Sequence, residues 1–174
     1  MKLTVLAVGK PAPLLAGAIA QYERRAGRYW TLEVVEVREE KARKGLPAEQ
    51  VRAAESARLL ERVAPGSEIV ALTRAGEAWS SARLAQYLEA LALRSSAGAS
   101  FLIGGALGLN DELIGRAQHR LALSALTLPH ELARLFLAEQ LYRAGTIVRG
   151  EPYHKAVERP DPTGRPGRPG GGGR

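Results

Sequence analysis

The stretch Leu121–Arg143, LALSALTLPHELARLFLAEQLYR, decides how the rest of the chain is read. It opens as an apolar run of strand length, LALSAL, and breaks at Leu128-Pro129-His130. It resumes with Leu132, Leu135, Phe136, Glu139, Tyr142 and Arg143 at helical spacing. Pro129 suits the first helical position, where a missing N–H costs nothing. In the helix that follows, Leu132, Ala133, Leu135, Phe136, Leu137, Ala138, Leu141 and Ala144 leave almost no polar face. A helix apolar all round needs cover on several sides. Either it is the central core helix of one chain, or a second copy covers one side of it. We favour the second arrangement, a homodimer.

The remaining sequence sets the frame around this stretch. At 174 residues the chain is expected to form one domain with a sizeable core. It has no cysteine, which excludes disulfides, thiolate catalysis and zinc–sulfur sites. No apolar run is long enough to cross a membrane. The opening MKLTVLAVGK is followed by Pro11-Ala12-Pro13 and a polar helix, so it reads as a strand and not as a signal peptide. A cytoplasmic protein without a membrane partner is the expectation. A net charge of +7 suggests a polyanionic partner.

Strands and helices alternate along the chain. Leu3-Val8 reads as a buried strand, Leu14–Arg25 as a helix and Thr31–Val37 as a second strand. Arg38–Leu46 is a charged stretch expected to be a mobile loop. Pro47–Val63 is an amphipathic helix closed by Pro65-Gly66. Glu68–Thr73 is a third strand, and Ser80 caps a helix through Leu84, Tyr87, Leu88 and Leu91. Ala99–Ile103 is a fourth strand ending in Gly104-Gly105. Asn110 and Asp111 cap a helix through Leu113, Ile114 and Ala117. The opening stretch supplies the fifth strand and the last helix. This order predicts an α/β fold: a parallel sheet covered by helices on both faces. Ligands of such sheets bind beyond the carboxyl ends of the strands. The places to look are therefore after Thr73, after Ile103, and around Ser124–Pro129. After Lys155 the composition turns to Pro, Gly and Arg with almost nothing to bury, so 156–174 is read as a disordered tail beyond a single domain, 1–155.

Few motifs carry chemistry by themselves. Gly104-Gly105-x-x-Gly108 follows a strand and precedes a helix, where glycines let the backbone approach a ligand or make a tight turn. It is not the dinucleotide fingerprint, which disfavours a Rossmann-type oxidoreductase. His119, His130 and His154 are too scattered for a metal site, and no metal is expected. His119 reads as structural, and His130 as a capping or packing residue. His154 lies in E-P-Y-H-K, an aromatic-histidine-lysine cluster just before the tail. Basic residues gather at Arg24, Arg25 and Arg28, at Lys41, Arg43 and Lys44, and at Arg143, Arg149 and Lys155. Each group is either a solvated face or, if the fold joins them, a phosphate-binding surface with Tyr and His as stacking platforms.

At these residues the chain resembles the ribosomal RNA large subunit methyltransferase H family, in the SPOUT superfamily of knotted methyltransferases. The matching pieces run in order: MKLTVLAVGK, YERRAG, IVALTRAGEAWSS, FLIGGALGL, LSALTLPHELARLFLAEQLYRA and IVRGEPYHK. The resemblance implies a carboxyl-terminal trefoil knot, a homodimer and S-adenosylmethionine as methyl donor. It implies as target the N(3) of a pseudouridine in helix 69 of 23S ribosomal RNA in the assembled ribosome. It carries donor binding onto Leu72, Gly105, Ser124, Ala125, Leu126, Thr127, Leu128 and Pro129. It carries a substrate-facing Tyr-His-basic element onto Tyr153, His154 and Lys155, with Arg143 nearby in the basic group; in a dimer the element would serve the partner's donor pocket. Members of the family carry a polar residue where this chain has Leu107, and Pro or Ser where it has Ala106.

Methyl transfer from a sulfonium needs the nucleophile in line with the S–CH3 bond. The N(3) of a uracil-type ring must lose a proton, so a general base is expected. His154 is the first candidate, with Glu139 and Glu151 behind it. The rival readings are a non-catalytic ribosome- or RNA-binding knotted protein and a transfer-RNA methyltransferase of the same superfamily.

Overall fold

The alternating elements assemble into a five-stranded sheet with every pairing parallel. The computed structural model describes residues 1–41, 46–94 and 96–153. The chain runs β1 (Lys2–Val8), α1 (Pro13–Ala26), β2 (Thr31–Val37), α2 (Ala48–Leu60), β3 (Glu68–Ala78), α3 (Ser81–Leu93), β4 (Gly98–Ile103), α4 (Asp111–Arg116), β5 (His119–Ala122) and α5 (His130–Val148). The strand order is β2-β1-β4-β3-β5. Part of the charged stretch after β2, and the whole tail with the boundary at Lys155, lie outside the described residues. Among the described residues no helix is long and apolar enough to cross a membrane.

The period of two along each strand divides the core into layers. Leu3, Val5 and Ala7 of β1, with Phe101 and Ile103 of β4, face Leu84, Leu88 and Leu91 of α3 and Leu137, Leu141 and Ala144 of α5. Leu6, Val8 and Leu102 point to the other face, against Leu59 of α2 and Leu113 of α4. Both faces of the sheet are thus covered, which is why its strands read as continuous apolar runs. The expected caps form: Ser80 Oγ accepts from Arg83 N at 3.1 Å, and Asn110 Oδ1 accepts from Leu113 N at 3.0 Å.

Three expectations need correction. The strand read in LALSAL begins earlier and is shorter, His119–Ala122. Ser124 ends the extended run, because its hydroxyl accepts from Leu126 N at 2.9 Å and bends the backbone into a turn. Pro129 is extended (φ −54°, ψ 146°) and precedes the helix; its carbonyl accepts from Ala133 N at 2.9 Å. The third strand does not end at Thr73 but resumes after an irregularity and reaches Ala78.

The last helix also carries more polarity than its apolar count suggests. Arg134 is buried, with Nε 2.8 Å from Glu23 Oε1 on α1 and Nη1 2.7 Å from Glu36 Oε1 on β2. Burial by itself pushes the guanidinium pKa down, but hydrogen bonds to Glu23 and Glu36 more than offset it, and the net shift is upward. Within one chain α5 lies between α1 and α3. Leu132, Phe136 and Val148 stay exposed. Removing one partner of a buried charge network strands the others. Arg134→Met is therefore expected to lower unfolding stability by about 3 kcal/mol, the lower end of the range for buried pairs because Glu36 still reaches solvent. Urea denaturation of the variant against the parent measures this.

Candidate functional site

Three departures from regular structure, at the carboxyl ends of β3, β4 and β5, open a cleft of about 440 Å³. The first is a bulge in β3. Leu72 and Glu77 both pair with Leu121, so residues 73–76 are looped out of the ladder. The bulge closes against β5 at Gly76, where a Cβ would stand 2.7 Å from the Arg120 carbonyl. Leu72, Thr73 and Arg74 are turned into the cleft by this irregularity. The second is the Gly104–Gly108 turn after β4, closed by Gly108 N donating to Gly105 O at 3.0 Å. The third is the serine turn after β5, which carries Ser124, Leu126, Thr127 and Leu128 along the opposite wall. Arg74 Nη1 donates to Thr127 Oγ1 at 3.2 Å and ties the first wall to the third. His130 and Ala133 of α5 and Arg52 of α2 complete the lining.

The walls are apolar at Leu72, Ile103, Leu123, Leu126 and Leu128, and cationic at Arg52 and Arg74. Among the described residues no carboxylate lines the cleft. Arg52 is paired with the exposed Glu49 one turn away. One face of α2 supports the glycine turn from behind. Ser56 Oγ accepts from Asn110 N at 3.0 Å and fixes the far end of the loop. Glu55 is 4% exposed; its Oε1 accepts from Glu40 N at 3.0 Å, and its Oε2 is buried without a hydrogen-bond partner among the described residues. A Cβ at Gly105 would come 2.7 Å from that oxygen and 3.1 Å from Val8 Cγ1. Burial raises the Glu55 pKa, the Glu40 N–H opposes the rise, and the neighbouring charge of Glu39 adds to it.

Of the positions singled out in the sequence, Leu72, Gly105, Ser124, Leu126, Thr127 and Leu128 meet in this cleft. Ala125 and Pro129 belong to the same loop without lining it. Arg143 and Tyr153 belong to a second cluster, at the other end of α5. There Tyr142 lies 6.4 Å from Tyr22, 5.7 Å from Tyr29 and 4.6 Å from Tyr153, centroid to centroid. Arg25 lies over Tyr22, Arg143 over Tyr153 and Arg149 over Tyr29, at 5.2, 5.0 and 4.7 Å. The packing of α1 on α5 therefore joins two of the basic groups that are far apart in sequence. His154 and Lys155 lie outside the described residues, as do Arg43 and Lys44. Tyr153 is pushed up to about 12, by burial first and then by its neighbours Tyr22 and Glu139.

Sequence reasoning missed Arg52, Arg74 and Glu55, and gave His130 only a capping or packing role. Arg74 follows Leu72-Thr73 at the strand end already under suspicion, which was the available signal. Nothing in α2 announced Arg52 or Glu55, because a helix brings them to the loop from the far side of the sheet edge. His119 is structural as expected: its Nε2 lies 3.2 Å from Glu68 Oε2, and its ring packs against Trp79 and Tyr87. Glu139 and Glu151 are already engaged, the first by Arg143 Nε at 3.0 Å and Gln140 Nε2 at 2.6 Å, the second by the Tyr29 hydroxyl. Among the described residues no group of three or more His, Asp or Glu side chains is placed to hold a metal.

Residues 1–154 match the family model described as predicted SPOUT methyltransferase. A protein of Gemmatimonas aurantiaca, named ribosomal RNA large subunit methyltransferase H, is 47% identical over 156 residues, which cover 89% of this chain and all of the relative. Proteins of the same name from Ruminiclostridium cellulolyticum and an Anaeromyxobacter species are 43% and 44% identical, each with 89% of this chain and all of the relative covered. The fold is similar to a crystal structure of a probable methyltransferase from Bordetella pertussis, with a TM-score of 0.53 at 18% identity over 82% of this chain and 95% of that one.

The packing of Glu55 and Val8 against Gly105 leaves no room for a side chain there. Gly105→Val should displace the glycine turn into the cleft and cost about 1–3 kcal/mol of stability, as overpacking does. Its affinity for S-adenosylmethionine, measured by calorimetry on the folded variant, should fall at least tenfold. Unchanged affinity would mean that this glycine serves only the turn.

Proposed function

The chain belongs to the SPOUT methyltransferases, within the ribosomal RNA large subunit methyltransferase H family, and on that premise we propose that it methylates 23S ribosomal RNA with S-adenosylmethionine. The target in this reading is the N(3) of a pseudouridine in helix 69 of the assembled ribosome. The observation that carries it is the cleft at three strand ends, where the residues matched to donor binding converge from three separate parts of the sequence. Its composition suits the donor. Leu72, Leu126 and Leu128 offer apolar walls for an adenine ring, and the main chain of Ser124–Pro129, with Ala125 and Pro129 contributing backbone, offers polar groups for its edge. The glycine turn at Gly105 presents bare backbone as the opposite wall, seated directly on Glu55 and Val8 behind it.

S-adenosylmethionine supplies a methyl group on a sulfonium centre; the protein's task is to hold the acceptor nitrogen in line with it. Removal of the N(3) proton falls to His154 in this reading, since Glu139 and Glu151 are already engaged. The transfer calls for no metal. Arg25, Arg143 and Arg149 supply cations for phosphates, and the surrounding tyrosine rings offer faces for an unpaired base. Tyr153, His154 and Lys155 form the element that closes over that base. Work on ribosomes puts the protein in the cytoplasm. The same membership leads us to assign the segment beyond β4 to a trefoil knot, which would hold the Ser124–Pro129 loop rigid, and to place the catalytic domain at 1–155 with 156–174 as a tail.

The two halves of this site are far apart in one chain. From His130, at the cleft, to Arg143, the rise along α5 is about 20 Å. A second copy supplies what is missing: a homodimer packed through the exposed Leu132 and Phe136 would bring one subunit's Tyr153–Lys155 to the other's cleft. Deletion of the gene should remove one methylated pseudouridine from 23S ribosomal RNA, detected by mass spectrometry of digested RNA, and the wild-type gene should restore it. An unchanged modification map rejects the assignment. Charging Leu132 and Phe136 together, as glutamates, should yield monomers by sedimentation. Mixed dimers with one subunit cut before Tyr153 and the other carrying Gly105→Val should keep about half the activity, because both defects fall on one composite site. An inactive mixed dimer, from folded parents, rejects the cross-subunit arrangement.

A further inference from the structure

Glu55 stands out among the buried groups that the mechanism leaves unused. It is almost wholly buried, one of its oxygens has no hydrogen-bond partner among the described residues, and it lies directly behind a backbone wall of the cleft. A buried, unsatisfied acceptor costs about 1–3 kcal/mol, and such a group calls for an explanation. Support of the loop accounts for Oε1, which accepts from Glu40 N, and it does not account for Oε2. The cleft itself supplies a reason. Among the described residues its lining has cations at Arg52 and Arg74 and no carboxylate. Glu49, the partner of Arg52, is exposed and therefore screened. Glu55 is desolvated, so its charge acts across the glycine backbone through a medium of low polarisability.

We propose that Glu55 sets the charge specificity of the cleft, favouring a sulfonium-bearing methyl donor over the neutral thioether left after transfer. This rests on the cleft being the donor site. In the reaction the S–CH3 bond breaks, sulfur keeps the electron pair, an N–CH3 bond forms, and the proton of that nitrogen leaves to a base. The ligand in the cleft thereby loses one positive charge while its adenine, ribose and amino-acid groups stay the same. A carboxylate behind Gly105 stabilises the ligand before transfer and not after it, which favours exchange of product for fresh donor. Gly105 is what permits this placement, since a side chain there would occupy the position of the Glu55 oxygen. Glu55 acts through space on the bound ligand and is a specificity-determining residue, not a catalytic one.

The test is the ratio of two affinities. Calorimetry on the full chain, wild type and Glu55→Gln, measures S-adenosylmethionine and S-adenosylhomocysteine in parallel. The glutamine keeps the shape and the acceptor for Glu40 N while removing the charge. The substitution should weaken S-adenosylmethionine about tenfold and change S-adenosylhomocysteine by less than twofold. A role confined to seating the glycine turn would weaken both ligands by the same factor, and that result, or no change in either, overturns the proposal. Should Glu55→Gln not fold, Glu55→Met removes the charge with an apolar side chain of similar length, and the same ratio decides. A wild-type protein that binds neither compound would instead reject the donor site, and this inference with it. Binding by wild type with an unaltered ratio in the variant rejects the role of Glu55 alone.

Discussion

The buried guanidinium of Arg134 fixes where the carboxyl-terminal helix lies, and much of the molecule depends on that placement. Taking a cation out of water is costly, and the cost is met only when its hydrogen bonds are made in good geometry. Arg134 meets that demand with one carboxylate from α1 and one from β2. A slip of one residue along α5 would rotate its side chains by about 100° and leave two carboxylates without their cation. The ion triad therefore specifies register, while Leu137, Leu141 and Ala144 supply the less selective apolar contact. With register set, His130 and Ala133 reach the cleft, and Tyr142 reaches Tyr22 of α1 and Tyr29 just beyond it. Trp30 Nε1 and the Leu141 carbonyl, 2.8 Å apart, make a second fastening on the same side.

The cleft is built where regular structure fails. A strand that kept its ladder past Leu72 would hold Thr73 and Arg74 in register with β5; the bulge turns them into the cleft. A side chain at Gly105, in the loop after β4, would press on Glu55 and Val8. A fifth strand that continued through Ser124 would carry Leu126 and Leu128 along the sheet and away from the cleft. Each failure has a local chemical cause: a close backbone approach at Gly76, a carboxylate behind Gly105, a hydroxyl at Ser124. Each is also adjacent to a rigid parallel strand, which holds the irregular segment in place.

These causes explain what the sequence disclosed and what it did not. Strand and helix identities were legible because burial on both faces leaves a continuous apolar run, and because Ser80 and Asn110 mark helix starts by their own hydrogen bonds. The general location of the cleft followed from the parallel alternation, and its membership from the family resemblance. The extent of β3 was not legible, since residues 73–76 carry no signal for a bulge until β5 is in place. The start of β5 was misread because His119 and Arg120, polar and at an edge, do not look like strand residues, whereas LALSAL does. The apolar reading of α5 overlooked Arg134, whose partners are about a hundred positions away in sequence. Arg52 and Glu55 show the same limit. A helix brings them to a loop that only tertiary structure makes their neighbour.

A straight helix that touches both the cleft and the tyrosine cluster also keeps them apart. Its length is fixed by its hydrogen bonds, so no local adjustment shortens the distance between His130 and Arg143. Methyl transfer needs donor and acceptor in contact, and the tyrosine and arginine cluster proposed to hold an RNA base sits at the end of α5 away from the cleft. The chain remedies this only if the end of one copy meets the beginning of another. Leu132 and Phe136, exposed on the turns next to the cleft, are placed where a second α5 would cover them. In the dimer reading, the same helix that separates the two functions within a subunit is the surface that joins them between subunits. In that reading association is a condition of the chemistry and not an addition to it.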